Sequence, residues 1–388
     1  MSLTALPPVR RAVPLRRGSV ASRLLMERFF GDRRITLYTS GTAALAHAIT
    51  RCAERRPVSE PEVIIPAYGC PDLVAACLYS SVFPRLVDVS RDHWSYDAES
   101  LKASLSPSTV AIVAVNLLGL GDSSASLAKI CRDRGISLIQ DSAQHLPREE
   151  VAWPGDYVVI SFGRGKPLNL LHGGALVAPP GDAHDPTAIP IRYSVKHQLL
   201  ASRTAAIAFN VLTRPLAYGL LSSLPGTGIG AVEYTPLTSA EGLPESAWKQ
   251  VGPAFAHYRD APSYRRDLWS DAIADWLHIG ITALDAPPSP VQPEPLRLAL
   301  LVRDRGARDW FVARLNRAGF GASRFYGSAL PDIAGIPDLV RHQQPFPNAA
   351  TLAARLFTLP THGLVRKNMI PSISAMVESL SIRHRNTT

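Results

Sequence analysis

Three segments of the sequence carry side chains that could take part in chemistry, and each lies where a predicted strand ends. In the first, Ser40, Gly41 and Thr42 stand between a strand and a helix. The N–H groups of a first helical turn lack intrahelical acceptors and the helix dipole is positive there, so small and hydroxyl residues at this junction favour phosphate binding. An ordinary helix cap remains the alternative.

The second segment places an acid at the end of an apolar strand. Asp141 directly follows the predicted strand 136–140. In open α/β sheets, ligands bind outside the carboxyl ends of the strands, so a functional carboxylate is expected there. A helix-capping aspartate is the alternative for this position.

The third segment presents one lysine in a glycine-rich turn. A predicted strand ends at Ser161, Lys166 follows between a glycine and a proline, and Gly173 and Gly174 precede the next strand. A loop lysine is usually solvated, whereas one that its turn desolvates is a nucleophilic amine. A phosphate seat, a strand-end carboxylate and a loop lysine are together the parts that a pyridoxal phosphate enzyme requires.

The elements that must position these residues alternate as in an α/β protein with a largely parallel sheet. Several strand candidates are continuous apolar runs, which is typical of strands covered by helices on both faces. The predicted strands are 34–39, 62–67, 85–89, 110–116, 136–140, 157–162 and 175–178, and the predicted helices are 42–54, 71–80, 97–103 and 123–134.

The second half of the chain changes character. An apolar helical insertion covers about 190–230, and its most lipophilic part, 199–224, is interrupted by Arg214 and Pro215. A bilayer span needs about 20 uninterrupted apolar residues, so this stretch predicts a buried helical hairpin or a dimer contact, with an interfacial membrane helix as the alternative.

A second, smaller unit follows this insertion. We expect a large domain at 1–245 and a small C-terminal α+β domain at 246–388. The predicted elements there are a long helix over 247–273, a strand at 296–302, a helix at 307–318 and a terminal helix near 372–381.

Composition and charge limit the classes of function. The chain has 388 residues, of which 46% are hydrophobic and 19% charged, so it can bury a large core and is not globally disordered. The formal charge of +9 is concentrated in an N-terminal arm, residues 1–34, for which a solvated basic tail is favoured over a phosphate-binding arm. No nucleic-acid-binding or metal-ligand motif is present. Four cysteines without a CxxC pair, and no secretory apolar run, predict a cytoplasmic protein.

The chain resembles the DegT/DnrJ/EryC1/StrS family of sugar aminotransferases, which have the aspartate aminotransferase architecture, fold type I. The similar stretches run in continuous order over about 35–180, and fainter similarity follows in LRLALLVRDRGARDWFVARLNRAGFGASRFYGSAL and FPNAATLAARLFTLPTHGLV. The stretches are TSGTAALAHAI, EVIIPAYGCPDLVAACL, PRLVDVSRDHWSYDAESLKASLSPSTVAIVAVNLLG, SLIQDSAQHL and VISFGRGKPLNLLHGGALV. The resemblance implies a mostly parallel seven-stranded sheet between helices, a smaller C-terminal domain and a homodimer.

The resemblance also implies roles for the matching residues. Lys166 would bond covalently to pyridoxal 5'-phosphate and move the substrate proton, and Asp141 would pair with the ring nitrogen. Cys70 stands where the family has an aromatic residue that stacks on the ring, which leaves its neighbour Tyr68 for that contact. The implied cofactor-binding residues are Ser40, Gly41, Thr42, Cys70, Asp141, Gln144, Ser161 and Lys166, and the candidate substrate contacts are Tyr68, Asn169, His172 and Tyr326.

Lysine at position 166 favours transamination, because a dehydratase branch of the family has histidine there. The resemblance implies L-glutamate as amino donor and a nucleotide-linked keto-sugar as acceptor, in polysaccharide, glycolipid or secondary-metabolite synthesis. The family's Asn-Tyr-Arg segment, which reaches the partner subunit's cofactor, has no counterpart between residues 185 and 250. Two alternatives therefore stand: another pyridoxal-dependent reaction, and a catalytically silent protein that binds at a membrane through 199–224.

Overall fold

The protein is described from a computed structural model covering residues 4–19, 23–31, 33–91, 93–121, 124–180, 182, 202–224, 232–260, 269–286, 295–343 and 345–385. The strands are β1 (Arg34–Tyr38), β2 (Glu62–Pro66), β3 (Phe83–Val87), β4 (Thr109–Val115), β5 (Ser137–Asp141), β6 (Tyr157–Ser161), β7 (Gly174–Ala178), β8 (Thr282–Ala283), β9 (Arg297–Leu301) and β10 (Leu356–Pro360). The helices are α1 (Arg23–Phe29), α2 (Gly41–Arg55), α3 (Asp72–Tyr79), α4 (Ala98–Ser104), α5 (Ser124–Arg134), α6 (Arg203–Leu212), α7 (Pro215–Ser223), α8 (Trp248–Asp260), α9 (Ser270–Trp276), α10 (Arg305–Arg317), α11 (Asp338–Arg341), α12 (Pro347–Arg355) and α13 (Ile370–Arg385).

The first seven strands form one sheet in the order β1-β7-β6-β5-β4-β2-β3. The strands from β6 to β3 are parallel, whereas β7 runs antiparallel to β6 and to β1. Every residue of β4 is buried, and its alternate side chains join two different clusters, with Val113 on one face and Ile112 on the other. The apolar strand runs therefore arise because helices cover both faces, as predicted.

The last three strands form a separate antiparallel sheet in the order β10-β9-β8. Its core contains two fully buried tryptophans, Trp269 and Trp276, together with Phe311 of α10 and Phe357 of β10. The predicted strand at 296–302 and helix at 307–318 correspond to β9 and α10. The two flanking strands, β8 and β10, were not predicted.

Helix α8 belongs by its packing to the first sheet. Its Trp248, Val251 and Phe255 join the cluster that holds Met26 and Phe29 of α1. The long helix predicted over 247–273 is therefore shorter, since α8 ends at Asp260 and 261–268 lie outside the described residues. The predicted division at residue 246 stays a prediction, and we propose that the large unit continues through α8.

Residues 5–14 of the N-terminal segment are buried or partly buried, which corrects the prediction of a solvated tail for this part, whereas 15–19 are exposed. Leu6 is 4% exposed and packs in the core of the smaller unit, where its N–H donates to the Gly319 carbonyl at 2.8 Å. Val13 is 2% exposed and bonds to α6 through the side chain of Asn210. Apolar residues between the arginines anchor this segment across both units.

The described part of the apolar insertion, 202–224, forms the helix pair α6 and α7, which breaks at Pro215 as expected. The expectation of a buried hairpin is wrong, because Leu216 and Leu220 are 57% and 53% exposed. Within the described residues, no helix is long and apolar enough to cross a membrane.

Candidate active site

The N-terminus of α2 is pressed against the ends of β6 and β7. Ser40 caps the helix, because its Oγ accepts a hydrogen bond from the Ala43 N–H at 2.9 Å. A Cβ on Gly41 would lie 2.8 Å from the Cβ of Ser161, and a Cβ on Gly174 would lie 2.6 Å from the Cα of Gly41. Only glycine fits at these two positions, so the spacing of the small residues follows from this close approach.

Several hydrogen-bond donors that could bind an anion lie at this junction. Gly41 and Thr42 occupy the first turn of α2, where backbone N–H groups lack intrahelical acceptors. The Oγ of Ser161 accepts from the Gly163 N–H at 3.3 Å, which leaves its own proton to donate. His172 is partly exposed and precedes Gly173, which bridges to Ser40. The arrangement suits a phosphate group.

The acid and the lysine predicted from the strand ends come together. Asp141 ends β5, and its Oδ1 accepts from the Ala143 N–H at 3.0 Å. Burial raises the pKa of the Asp141 carboxyl, although the Ala143 hydrogen bond and the charge of Lys166 act in the opposite direction. The Lys166 side chain is partly buried. Because burial disfavours the ionised form of Asp141, a further cationic partner would stabilise the carboxylate.

Gln144 joins the large unit to the small one. Its Nε2 donates to the Tyr326 Oη at 2.9 Å, and its Oε1 accepts from the Leu118 N–H at 3.1 Å. The Tyr326 ring lies 5.6 Å from that of Tyr68 in an edge-to-face arrangement. The structure thus brings Gln144, Tyr68 and Tyr326 to one place. Their roles toward cofactor and substrate stay predictions.

Tyr68 and Cys70 both offer uncharged groups to the site. Tyr68 is fully buried, and its Oη has no hydrogen-bond partner among the described residues. Burial raises the pKa of Tyr68, so the phenol stays protonated. Burial likewise raises the pKa of the Cys70 thiol to about 12, which favours the protonated thiol.

The side-chain amide of Asn169 makes two hydrogen bonds to backbone groups. Its Nδ2 donates to the Arg11 carbonyl at 2.7 Å, and its Oδ1 accepts from the N–H of Leu171, whose φ is +73°. These bonds fix the turn that follows Lys166 and tie it to the N-terminal segment. The predicted contact of Asn169 with substrate stays a prediction.

The contact of the N-terminal segment with the lysine turn, residues 163–166, was not predicted from the sequence. Gly165, at φ +73°, lies so close to Val9 that a Cβ there would be 2.7 Å from the Val9 Cγ1. The signal available was the apolar and proline residues between the arginines of residues 7–15. His145, which directly follows Gln144, was not predicted either. Burial lowers the pKa of His145 to about 4, so its ring is neutral.

A cavity of about 780 Å³ opens beside Tyr326. Its wall is lined by Tyr218 of α7 and by four arginines together with one acid, namely Arg305, Arg308, Arg317, Arg324 and Asp309. Arg308 and Arg324 both contact Asp309, at 2.9 Å each. The wall therefore has an excess of positive charge. No group of three potential metal-ligating side chains occurs within the described ranges.

The sheet order is shared with solved structures of one fold. The putative sugar aminotransferase Spr1654 from Streptococcus pneumoniae, in its PLP form, superposes with a TM-score of 0.69 at 18% identity, covering 98% of each chain. The likeness confirms the predicted fold class, fold type I, with its large α/β unit and its smaller C-terminal α+β unit.

The sequence comparison then finds one family whose model matches part of the chain. The model of the DegT/DnrJ/EryC1/StrS aminotransferase family matches residues 25–197, which confirms the resemblance over the segment from α1 past the lysine turn.

Two curated relatives each match about a third of the chain. The 3-amino-5-hydroxybenzoate synthase of Amycolatopsis mediterranei is 31% identical over 140 residues, which cover 34% of this chain and 35% of that protein. The UDP-N-acetyl-3-dehydro-alpha-D-glucosamine 3-aminotransferase of Acidithiobacillus ferrooxidans is 30% identical over 142 residues, 36% of this chain and 38% of that protein. The match thus spans little more than a third of the length of these relatives.

Proposed function

We propose that this protein is a pyridoxal phosphate-dependent aminotransferase. The observation that carries the proposal is the meeting of Asp141, Lys166 and the N-terminus of α2 at the carboxyl edge of one sheet. When bound, pyridoxal phosphate supplies an electron sink for the bonds at the substrate carbon.

The residues present fit that cofactor in three respects. The junction of Gly41 and Ser161 offers donors and space to a phosphate. The raised pKa of Asp141 indicates a carboxyl that a protonated ring nitrogen would stabilise in its ionised form. The buried Tyr68 hydroxyl, which has no partner among the described residues, is available to a polar ligand atom.

Each residue then has a definite task. The Nζ of Lys166 would hold the cofactor and carry a proton to and from the substrate carbon, which is general acid-base work. Asp141 would keep the ring nitrogen protonated, while Ser161 and the first turn of α2 would orient the phosphate. Tyr68 and Tyr326 would exclude water from one side of the site.

We further propose L-glutamate as the amino donor and a nucleotide-linked keto-sugar as the acceptor, in polysaccharide, glycolipid or secondary-metabolite synthesis. The arginine-lined cavity beside Tyr326 supports an anionic acceptor, because guanidinium groups bind phosphates well. One relative is named for a UDP-linked amino sugar. The proposed acting form is a homodimer in the cytoplasm, where the free thiols of all four cysteines would stay reduced.

The test is the absorption spectrum of protein incubated with pyridoxal phosphate, recorded before and after L-glutamate is added. We expect a cofactor band that disappears in Lys166→Ala and that glutamate converts to the pyridoxamine form. Arg164→Ala is the matched control, since Arg164 is exposed in the same turn.

The outcomes separate the alternatives. A lysine-dependent band that no amino acid converts to the pyridoxamine form would favour another pyridoxal-dependent reaction. Equal spectra for wild type and Lys166→Ala would refute the proposal and leave the catalytically silent protein.

A further inference from the structure

The helix pair α6 and α7 exposes an apolar face. Of the twelve large apolar side chains that are exposed in the described residues, five lie on these two helices and a sixth, Leu224, directly follows α7. They are Ile207 (50% exposed), Val211 (46%), Leu212 (47%), Leu216 (57%), Leu220 (53%) and Leu224 (57%). Single exposed leucines are ordinary, but such a concentration on one short hairpin marks an interaction surface.

The hairpin is held firmly against the N-terminal segment. Asn210 accepts from the Val13 N–H at 2.8 Å and donates to its carbonyl at 3.0 Å, and the Ala5 N–H donates to the Pro215 carbonyl at 2.9 Å. These bonds place exposed Leu15, Arg16 and Arg17 beside the start of α6, where a small cleft lies between them and Arg203. We call residues 203–224, which contain α6 and α7, together with residues 15–17 the hairpin surface.

The hairpin surface carries arginines, and the sequence segments that form it contain no acidic residue. Residues 186–232 contain no Asp or Glu, and neither do residues 1–26. Arg16, Arg17, Arg203 and Arg214 are all exposed on the hairpin surface. Burial and then the like charge of Arg214 lower the pKa of Arg10, which bonds to Thr213 at the break between the helices. Apolar side chains rimmed by cations face solvent here.

The charge decides between two occupants of this face. In a two-fold dimer that paired the hairpin surface with itself, its arginines would oppose each other with no acid between them. An anionic bilayer supplies the missing negative charge as well as an apolar layer. Helices of ten and nine residues are about 15 Å long, which suits helices lying within the interface and not across it.

We propose that the hairpin surface docks the protein on an anionic lipid bilayer, with α6 and α7 lying in the headgroup region and the arginines contacting lipid phosphates. This function goes beyond the proposed amino-group transfer and does not depend on it. Docking would also bring the wall of the arginine-lined cavity that α7 forms close to the membrane.

The test is flotation of the full-length protein with vesicles of phosphatidylcholine, with or without phosphatidylglycerol. Leu216→Glu combined with Leu220→Glu removes the apolar contact at two positions that are already exposed. Leu277→Glu combined with Leu339→Glu is the matched control, because these leucines are 55% and 50% exposed and lie outside the hairpin surface. Circular dichroism confirms that each variant is folded.

We expect wild type and control to float with the phosphatidylglycerol vesicles and the hairpin variant to bind at least tenfold more weakly. Each arginine near an anionic surface contributes about fivefold in affinity, so Arg16→Ala combined with Arg17→Ala should weaken binding more than tenfold. High salt should weaken wild-type binding for the same reason.

Three results would overturn the proposal: wild type that does not float, a hairpin variant that floats like wild type, or equal binding to both kinds of vesicle. Light scattering on the same samples identifies the competing occupant. If wild type does not float and the hairpin variant changes from dimer to monomer, the face belongs to a second copy of the chain. None of these readouts requires aminotransferase activity.

Discussion

The contact between Gly41 and Ser161 allows the phosphate seat to be tested by a single methyl group. In Gly41→Ala the new Cβ would lie 2.8 Å from the Ser161 Cβ, 3.1 Å from its Oγ and 3.3 Å from its Cα. Non-bonded carbons normally rest at about 3.5–4.0 Å, so either α2 or the end of β6 must move. Overpacking of this kind costs about 1–3 kcal/mol of unfolding free energy.

The same displacement should weaken cofactor binding. A shift of the α2 N-terminus moves the first-turn N–H groups away from the Ser161 hydroxyl, so we expect the affinity for pyridoxal phosphate to fall at least tenfold, about 1.4 kcal/mol. Urea unfolding without cofactor measures the first effect, and spectroscopic titration with cofactor measures the second. Gly363→Ala is the control, since a Cβ there meets nothing within 4 Å.

A second substitution isolates the clash. Ser161→Gly removes the opposing Cβ at a cost of about 0.5–1 kcal/mol, the usual effect of glycine in a strand. The double variant should then be more stable than the sum of the two single losses predicts, with a coupling of about 1–2 kcal/mol. Additive losses, or a Gly41→Ala protein with wild-type stability and affinity, would refute the close approach.

Three further predictions address the groups around this seat. Asp141→Asn should stabilise the cofactor-free protein at neutral pH yet weaken cofactor binding. The pKa of Asp141 is raised in the folded protein, so its ionisation destabilises the fold once the pH exceeds the pKa of the unfolded state. Thermal unfolding measured against pH should show this loss of stability in wild type alone. Tyr326→Phe removes the acceptor of the buried Gln144 amide and should cost about 1–3 kcal/mol in urea unfolding. Asn169→Ala removes the amide that donates to the Arg11 carbonyl and should lower stability by about 1–3 kcal/mol equally with and without cofactor. A loss confined to substrate binding would instead support the predicted substrate contact.

The large sheet was predictable because its strands are apolar runs between helical patterns. All seven strands lie within two residues of the predicted bounds, the largest difference being β3, which begins at Phe83 because Glu62 of β2 pairs with it. In contrast, β8 has only two residues and β10 follows directly on α12, so neither has a periodic pattern of its own.

The strand ends revealed the candidate site for a general reason. Side chains at the carboxyl edge of a parallel sheet converge whatever the loops do, so Asp141 and Ser161 could be placed together from sequence. The path of the N-terminal segment could not be predicted, since the buried residues Leu6 and Val13 bond to Gly319 and Asn210, which are distant in the sequence. Such contacts leave no local periodicity.

Tyr326 shows how the smaller unit contributes to the site. Phe325, immediately before it, has a φ of +44°, a conformation that costs a bulky residue about 1–3 kcal/mol. The strain is offset where it arises: the Phe325 N–H donates to the Ser323 Oγ at 3.1 Å, and the Arg297 guanidinium lies 5.4 Å from the Phe325 ring. This turn sets the Tyr326 hydroxyl 2.9 Å from the Gln144 amide. A movement between the two units would therefore break the hydrogen bond between Gln144 and Tyr326. The position of the smaller unit thus determines whether Tyr326 is part of the candidate site.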